Sequence, residues 1–275
     1  MRRLCFAFTL LMAVISPLPV AAAAPATPAA VAGEPSVSLL MDKSGLRLAI
    51  RSFSGVVAQS LANPEQAAVS PQLAQRMAEK ASIAFAPGFL DQEVRDSLGA
   101  SLTPGEIQRL LAWHDTALGK RVTALEVARA QSQLLNADVP EDPAPATAAR
   151  QRLLARIMKA TNAVPMLVEV QMQVMAAMFR GMASSADIAG RPVDIAPILK
   201  ELDAQRPVYL ARVETDMRRD LRLTYAPLSD AELGRYAAFL ESPLGRKFNR
   251  AMMKSLQGAL TDAGQSFGEL LLGTP

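Results

Sequence analysis

The 275-residue chain has a single cysteine, Cys5, and it sits within an apolar N-terminal run. Once that run is removed no disulfide can form, so stability has to come from packing. There is also only one histidine, His114, which leaves no histidine pair for a metal motif. Aromatic residues make up 5% of the chain, and alternating runs rich in Val, Ile and Tyr are missing, which removes the pattern of half-buried strands. No nucleophile elbow and no phosphate-binding glycine loop occurs. The longest apolar run is well short of the roughly 20 residues that a membrane-spanning helix needs.

What is present begins with an address. Met1-Arg2-Arg3 leads into LCFAFTLLMAVI and then PLPVAAAA: a basic start, a short apolar stretch and small residues. This order predicts a secretory signal peptide over residues 1–24, cleaved near Ala24, and hence a periplasmic or secreted protein. Of the 29 Lys and Arg, Arg2 and Arg3 fall in this segment, leaving 27 against 26 acids. The mature chain is then nearly neutral, and its sequence offers no electrostatic footprint for nucleic acid. Residues 25–38, rich in Pro and Ala and without periodicity, are expected to form a flexible leader.

From Leu39 onward Ala, Leu, Met, Gln, Arg and Glu dominate, the residues with low helix cost, and an all-α helical bundle is predicted. VPEDPAPAT, residues 139–147, reads as a linker between two helical repeats, 39–138 and 148–272. LTPGEIQRLLAWHDTALGKRV (102–122) lies over LSDAELGRYAAFLESPLGRKF (228–248) without a gap at an offset of 126, with six of 21 positions identical. The pattern predicts a diverged internal duplication. Upstream, LRLAIRSFSGVVAQS is aligned with LLARIMKATNAVPML at an offset near 105, which implies an insertion around Ser184 to Arg206.

Each copy has a mechanical reading. Thr103 with Glu106, and Ser229 with Glu232, have the spacing of a capping box, in which hydroxyl and carboxylate satisfy each other's backbone donors. Ile107, Leu110, Leu111 and Leu118, or Leu233, Tyr236, Phe239 and Leu240, then follow at intervals suited to a buried face. Ser242-Pro243 is expected to break the second copy and start a new helix, with Leu244 on its apolar stripe. Gly119 and Gly245 would allow close backbone approach. Thr116-Ala117 lacks the proline, so a softer break or a continuous helix is expected in the first copy.

The phrase L-S/T-x-x-E-L, an aromatic, then S-P-L-G-R-K-F resembles the signature of the domain of unknown function 2059 family. Residues 228–248 fit it closely; residues 102–122 fit more loosely, with Thr116-Ala117 in place of Ser-Pro and His114 at a position where tyrosine or an apolar residue is common. The resemblance implies an exported, proteobacterial α-helical protein, and brings no activity or catalytic residue to transfer.

Candidate chemistry is sparse. His114 beside Asp115 suggests an acid-base pair, but adjacent helical residues point about 100° apart, so His114 is expected at the surface or rim. Glu106 and Glu232 could be paired acids, and capping already explains both. Met166, Met172, Met175, Met178 and Met182 fall within 17 residues, the last four on an arc of roughly 120°. Core filling is the expectation for them; a peptide groove or a Cu(I) site are the alternatives. Arg246, Arg250 and Lys254 form a basic stripe, either a solvated face or a contact for an acidic partner or peripheral membrane surface. The sequence therefore predicts no cofactor, no metal and no catalytic residue. It predicts instead a non-enzymatic interaction or structural module of the cell envelope, with an envelope protein or peptide as partner. An enzyme built from carboxylates and arginines in a helical cleft is the alternative, and a deep pocket lined by Glu or Asp with Arg would favour it.

Overall fold

The computed structural model describes residues 36–62, 70–134, 146–188 and 194–272. The signal segment, most of the leader and residues 139–145 of the linker lie outside them. Among the described residues the chain is all-helical, with no strand: α1 Val37–Lys43, α2 Leu46–Ala62, α3 Pro71–Ala84, α4 Pro87–Ser101, α5 Pro104–Asp115, α6 Ala117–Leu134, α7 Ala148–Thr161, α8 Ala163–Ile188, α9 Ala196–Ala204, α10 Arg206–Thr224, α11 Asp230–Glu241 and α12 Pro243–Leu272. Helix α1 starts two residues inside the stretch assigned to the leader, because Ser36 caps it by accepting from the Leu39 amide at 3.1 Å.

Hydroxyl caps and prolines set most of the boundaries. Ser70 accepts from Leu73 N with Pro71 in the first turn, and Thr147, the last residue of the predicted linker, caps α7 through Arg150 N. Helix α7 ends at Asn162, whose φ of 50° is left-handed, a conformation asparagine tolerates. This turn corrects the upstream alignment. Residues 46–60 lie within α2, whereas 153–167 run across α7, Asn162 and the start of α8. The stretch expected as an insertion contains α9.

The longest helices, α8 and α12, pack together and carry the main core. They meet closely because two glycines face across the crossing. A methyl group on Gly181 would run into the backbone of Gln265, Gly268 and Glu269, and one on Gly264 would stand 3.0 Å from the Val174 carbonyl oxygen. Leu40, Ile50, Phe85 and Leu98 from the first half join Val168, Leu256 and Phe267 from the second in one apolar cluster. Phe267 is fully buried, with its ring 6.0 Å from Phe85, which in turn lies 6.0 Å from Phe53. The two sequence halves thus share a core. Met172 is buried in it, and Met166, Met175 and Met178 are half-buried against it. The side chain of Met182 lies outside the described residues. A second, smaller cluster gathers Val122, Ile157, Leu233 and Leu240 around Tyr225 and Tyr236.

Candidate functional site

The two aligned segments, 102–122 and 228–248, build the same joint. Thr103 N donates to Glu106 Oε2 at 2.8 Å and Glu106 N to Thr103 Oγ1 at 3.4 Å; the corresponding distances for Ser229 and Glu232 are 2.8 and 3.3 Å. Both capping boxes are therefore formed. Each helix then ends at a hydroxyl residue in extended conformation, Thr116 at φ −64°, ψ 156° and Ser242 at φ −66°, ψ 155°. The expectation of a softer break at Thr116-Ala117 is overturned. The physical reason is that the hydroxyl does the work on both sides of the break. Thr116 Oγ1 donates to the Trp113 carbonyl at 2.7 Å and accepts from Gly119 N at 2.9 Å; Ser242 Oγ donates to the Phe239 carbonyl at 2.6 Å and accepts from Gly245 N at 3.0 Å. Gly119 and Gly245 are required, because a Cβ at either would penetrate the carbonyl oxygen of Trp113 or Phe239.

The joints also grip each other reciprocally. Glu106 of the first is bound by Lys247 at 2.7 Å, and Glu232 of the second by Arg121 at 2.7 Å. Lys247 and Arg121 occupy equivalent positions, as do the two glutamates. Between the joints the equivalent rings of Trp113 and Phe239 stack at 3.8 Å with planes 10° apart. A set of contacts in which position i of one unit meets j of the other, and j meets i, is the arrangement of a two-fold interface. The Lys247 ammonium, followed by the Thr103 backbone donor, holds the Glu106 carboxyl down to about 2. The backbone and hydroxyl of Ser229 lower Glu232. Both glutamates are engaged as structural anions.

His114 is buried, not at the surface. It continues the Ile107, Leu110, Leu111 stripe of α5, its ring lying edge-on to Trp113 at 4.9 Å and to Phe248 at 6.2 Å. Nδ1 is 3.4 Å from Thr123 Oγ1, and Nε2 has no hydrogen-bond partner. Burial pushes the imidazole down to about 4, so it is neutral in solution near pH 7. Asp115 turns the other way and pairs with Lys43, so the two adjacent residues form no dyad.

The chemically richest arrangement was not singled out from the sequence. Glu126 of α6 is buried, and its Oε1 accepts from the hydroxyls of Tyr225 at 2.6 Å and Tyr236 at 2.8 Å. Desolvation pushes the carboxyl up to about 7, and burial raises both phenols well above their ordinary value. One turn along α6, Arg129 donates through Nε at 2.9 Å and Nη2 at 2.6 Å to Asp220 Oδ1. Glu126, Arg129, Asp220 and both tyrosines line a cavity of about 80 Å³ together with Ile157, Met158, Met217 and Leu221. A wider groove of about 320 Å³ shares Met158 and Leu221 with it and carries Gln151, Thr215 and Arg218. The sequence signal for Glu126 was its spacing: Val122, Glu126 and Ala130 lie four residues apart, which puts a carboxylate on a buried stripe.

On the outer side of α12, Arg246, Arg250 and Lys254 are exposed, and no ion pair joins them to another described residue. Leu244 is half-buried on the opposite side with Phe248 and Met252 beneath it. Among the described residues no cluster of three metal-ligating His, Cys, Asp or Glu occurs, and no helix is long and apolar enough to cross a membrane. No protein-family model, no curated protein and no solved structure matches this chain.

Proposed function

We propose that this chain is an exported helical interaction module that presents the α12 face to an acidic protein partner. The observation that carries this reading is the contrast in charge use. Glu106, Glu232, Lys247 and Arg121 are engaged inside the molecule, while Arg246, Arg250 and Lys254 stand together, exposed and without an ion pair among the described residues. Magnitudes favour a structured protein over a lipid surface. Three cations near an anionic membrane give about 1 kcal/mol each, roughly a hundredfold enrichment in all. A hydrogen bond to a charged group contributes about 1.5–3 kcal/mol. Thioether packing in the core supports reading the methionines as filling, not as a Cu(I) site.

The matched joints, with their near-identical torsions and reciprocal ion pairs, support a duplication within the chain. They are also consistent with the resemblance of residues 228–248 to the domain of unknown function 2059 family. The proposed export is tested by N-terminal sequencing of the protein secreted by its host, with a start near Pro25 expected.

The function is tested with the mature chain as bait on envelope extracts, beside R246E/R250E/K254E. The expected result is an acidic partner retained at low salt, released at high salt and lost with the variant, whose melting temperature is unchanged. Capture that survives the triple reversal would defeat this reading, and binding confined to anionic vesicles would replace it with a lipid contact. A second reading, an enzyme in a helical cleft, draws on the cavity that joins Glu126 and Asp220 with Arg129. Arg129 is already engaged by Asp220, and no activated nucleophile lies on its wall, which favours binding over turnover there.

A further inference from the structure

The cavity beside Glu126 has an unbalanced charge. Three charged side chains line it, and two of them, Arg129 and Asp220, neutralise each other. Glu126 has no described cation beside it. Its two hydrogen bonds both end on Oε1, so the carboxyl carries a second oxygen that neither tyrosine binds. The remaining wall is soft and polarisable: two tyrosines whose ring centroids lie 5.6 Å apart, the thioethers of Met158 and Met217, and the aliphatic Ile157 and Leu221. An isolated buried carboxylate is costly, and a guest of opposite charge removes that cost.

We infer that this cavity is a binding site for a small primary ammonium compound, its charged nitrogen on Glu126 and its short alkyl body against Met158 and Leu221. Size sets the class. About 80 Å³ holds roughly two to three water-sized groups, enough for the ammonium and one or two carbons. Longer chains continue past Met158 and Leu221 into the neighbouring groove. An anion is disfavoured, because the one cation on the wall, Arg129, is held by Asp220 through two hydrogen bonds. The site is separate from the α12 face and stands or falls independently of it.

Protonation makes the site readable. In the empty cavity burial holds the Glu126 proton up to about pH 7, and a bound ammonium displaces it. The other titratable groups facing Glu126 are Tyr225 and Tyr236, both raised well above their ordinary value, and the Arg129–Asp220 pair lies one turn away. Glu126 is therefore the group on this wall whose titration falls between pH 6 and 8. Its ionised fraction rises about tenfold across that interval, and affinity is expected to rise by the same factor.

The test is calorimetric titration of the mature, full-length chain with ethylammonium and propylammonium, with acetate and propanol as controls. The expected result is saturable binding of the amines alone, about tenfold tighter at pH 8 than at pH 6 and lost in Glu126→Gln, which keeps an acceptor for both tyrosines. Equal binding of propanol or acetate, or unchanged amine affinity in E126Q, would overturn the proposal. Should E126Q fail to fold, the wild-type chain still decides: binding at pH 7 must release protons, seen as a heat that differs between buffers of different ionisation enthalpy. Amine binding without proton release, or no amine binding at pH 8, sinks the site.

Discussion

The first joint and the second have nearly the same backbone, and yet their buried neighbours differ in kind. At the offset of 126, His114 corresponds to Leu240, Thr123 to Asn249 and Glu126 to Met252, all six buried. The pieces common to both are those that geometry requires: a capping hydroxyl with its glutamate, the second hydroxyl at the break, the glycine behind it and the exchanged cation. Core positions need only volume and a satisfied polar group, and there the two segments differ. Both ionisable groups that the described core buries at these positions, the imidazole and the Glu126 carboxyl, lie on the side of the first joint, so pH should act on that side.

The largest expected effect comes from removing, one at a time, the two buried ionisable groups on the side of the first joint. The folded His114 lies at about 4 against 6.5 unfolded, so it contributes stability fully present above pH 6.5 and lost as pH falls toward 4. Folded Glu126 lies at about 7 against 4.5, so its contribution is complete below pH 4.5 and lost as pH rises through 7. Each difference corresponds to about 3 kcal/mol, and between roughly pH 4.5 and 6.5 the two slopes oppose each other. Urea unfolding across this window should therefore be nearly flat for the wild type. His114→Leu should lose stability as pH rises toward 7, and Glu126→Gln should lose it as pH falls toward 4. The paired carboxylates Glu106, Glu169 and Glu241, all lowered chiefly by Lys247, Arg206 and Arg156, act at still lower pH. Parallel curves for the two variants would remove the claimed difference between the halves.

Next in size is the glycine behind each break. Gly119→Ala and Gly245→Ala each force a methyl into a backbone carbonyl that cannot swing away. After the helix-propensity gain of about 1 kcal/mol, a net loss of about 2 kcal/mol is expected in both, or roughly 4–8 °C in melting temperature. Gly258, exposed on α12 where an added methyl would meet nothing within 4 Å, is the control and should gain up to about 1 kcal/mol. If G119A were tolerated while G245A was not, the first joint would be looser than its torsions indicate.

How much of this was legible follows from range. The helix class, the capping boxes, the Gly119 and Gly245 positions and the apolar stripes depend on residues within four of each other, and the sequence displays them directly. His114 was within reach too, since it continues the Ile107–Leu111 stripe, a stronger signal than its adjacency to Asp115. The Glu126 site was not recoverable as a site. Its tyrosines lie 99 and 110 residues away, and Asp220 lies 91 residues from Arg129, so only the folded chain brings them together. The same holds for the exchange of Lys247 and Arg121 between the joints, which lie 141 and 111 residues from the glutamates they bind.

The smallest effects test which residue breaks the helix. If the hydroxyl is the cause, Thr116→Ala and Ser242→Ala should each cost about 1 kcal/mol, the worth of a helix cap. Pro243→Ala should then cost less than that, because proline here only restricts the unfolded chain. The converse change is the sharper one. Thr116 is already at ψ 156°, the extended conformation a following proline demands, and residue 117 occupies the first helical position, where an amide has no intrahelical partner. Ala117→Pro should thus be accepted and raise stability by about 0.4–1 kcal/mol in thermal unfolding. A loss instead would mean that the first joint relies on a freedom at residue 117 that the second lacks, and the two breaks would be alike in torsion but not in cause.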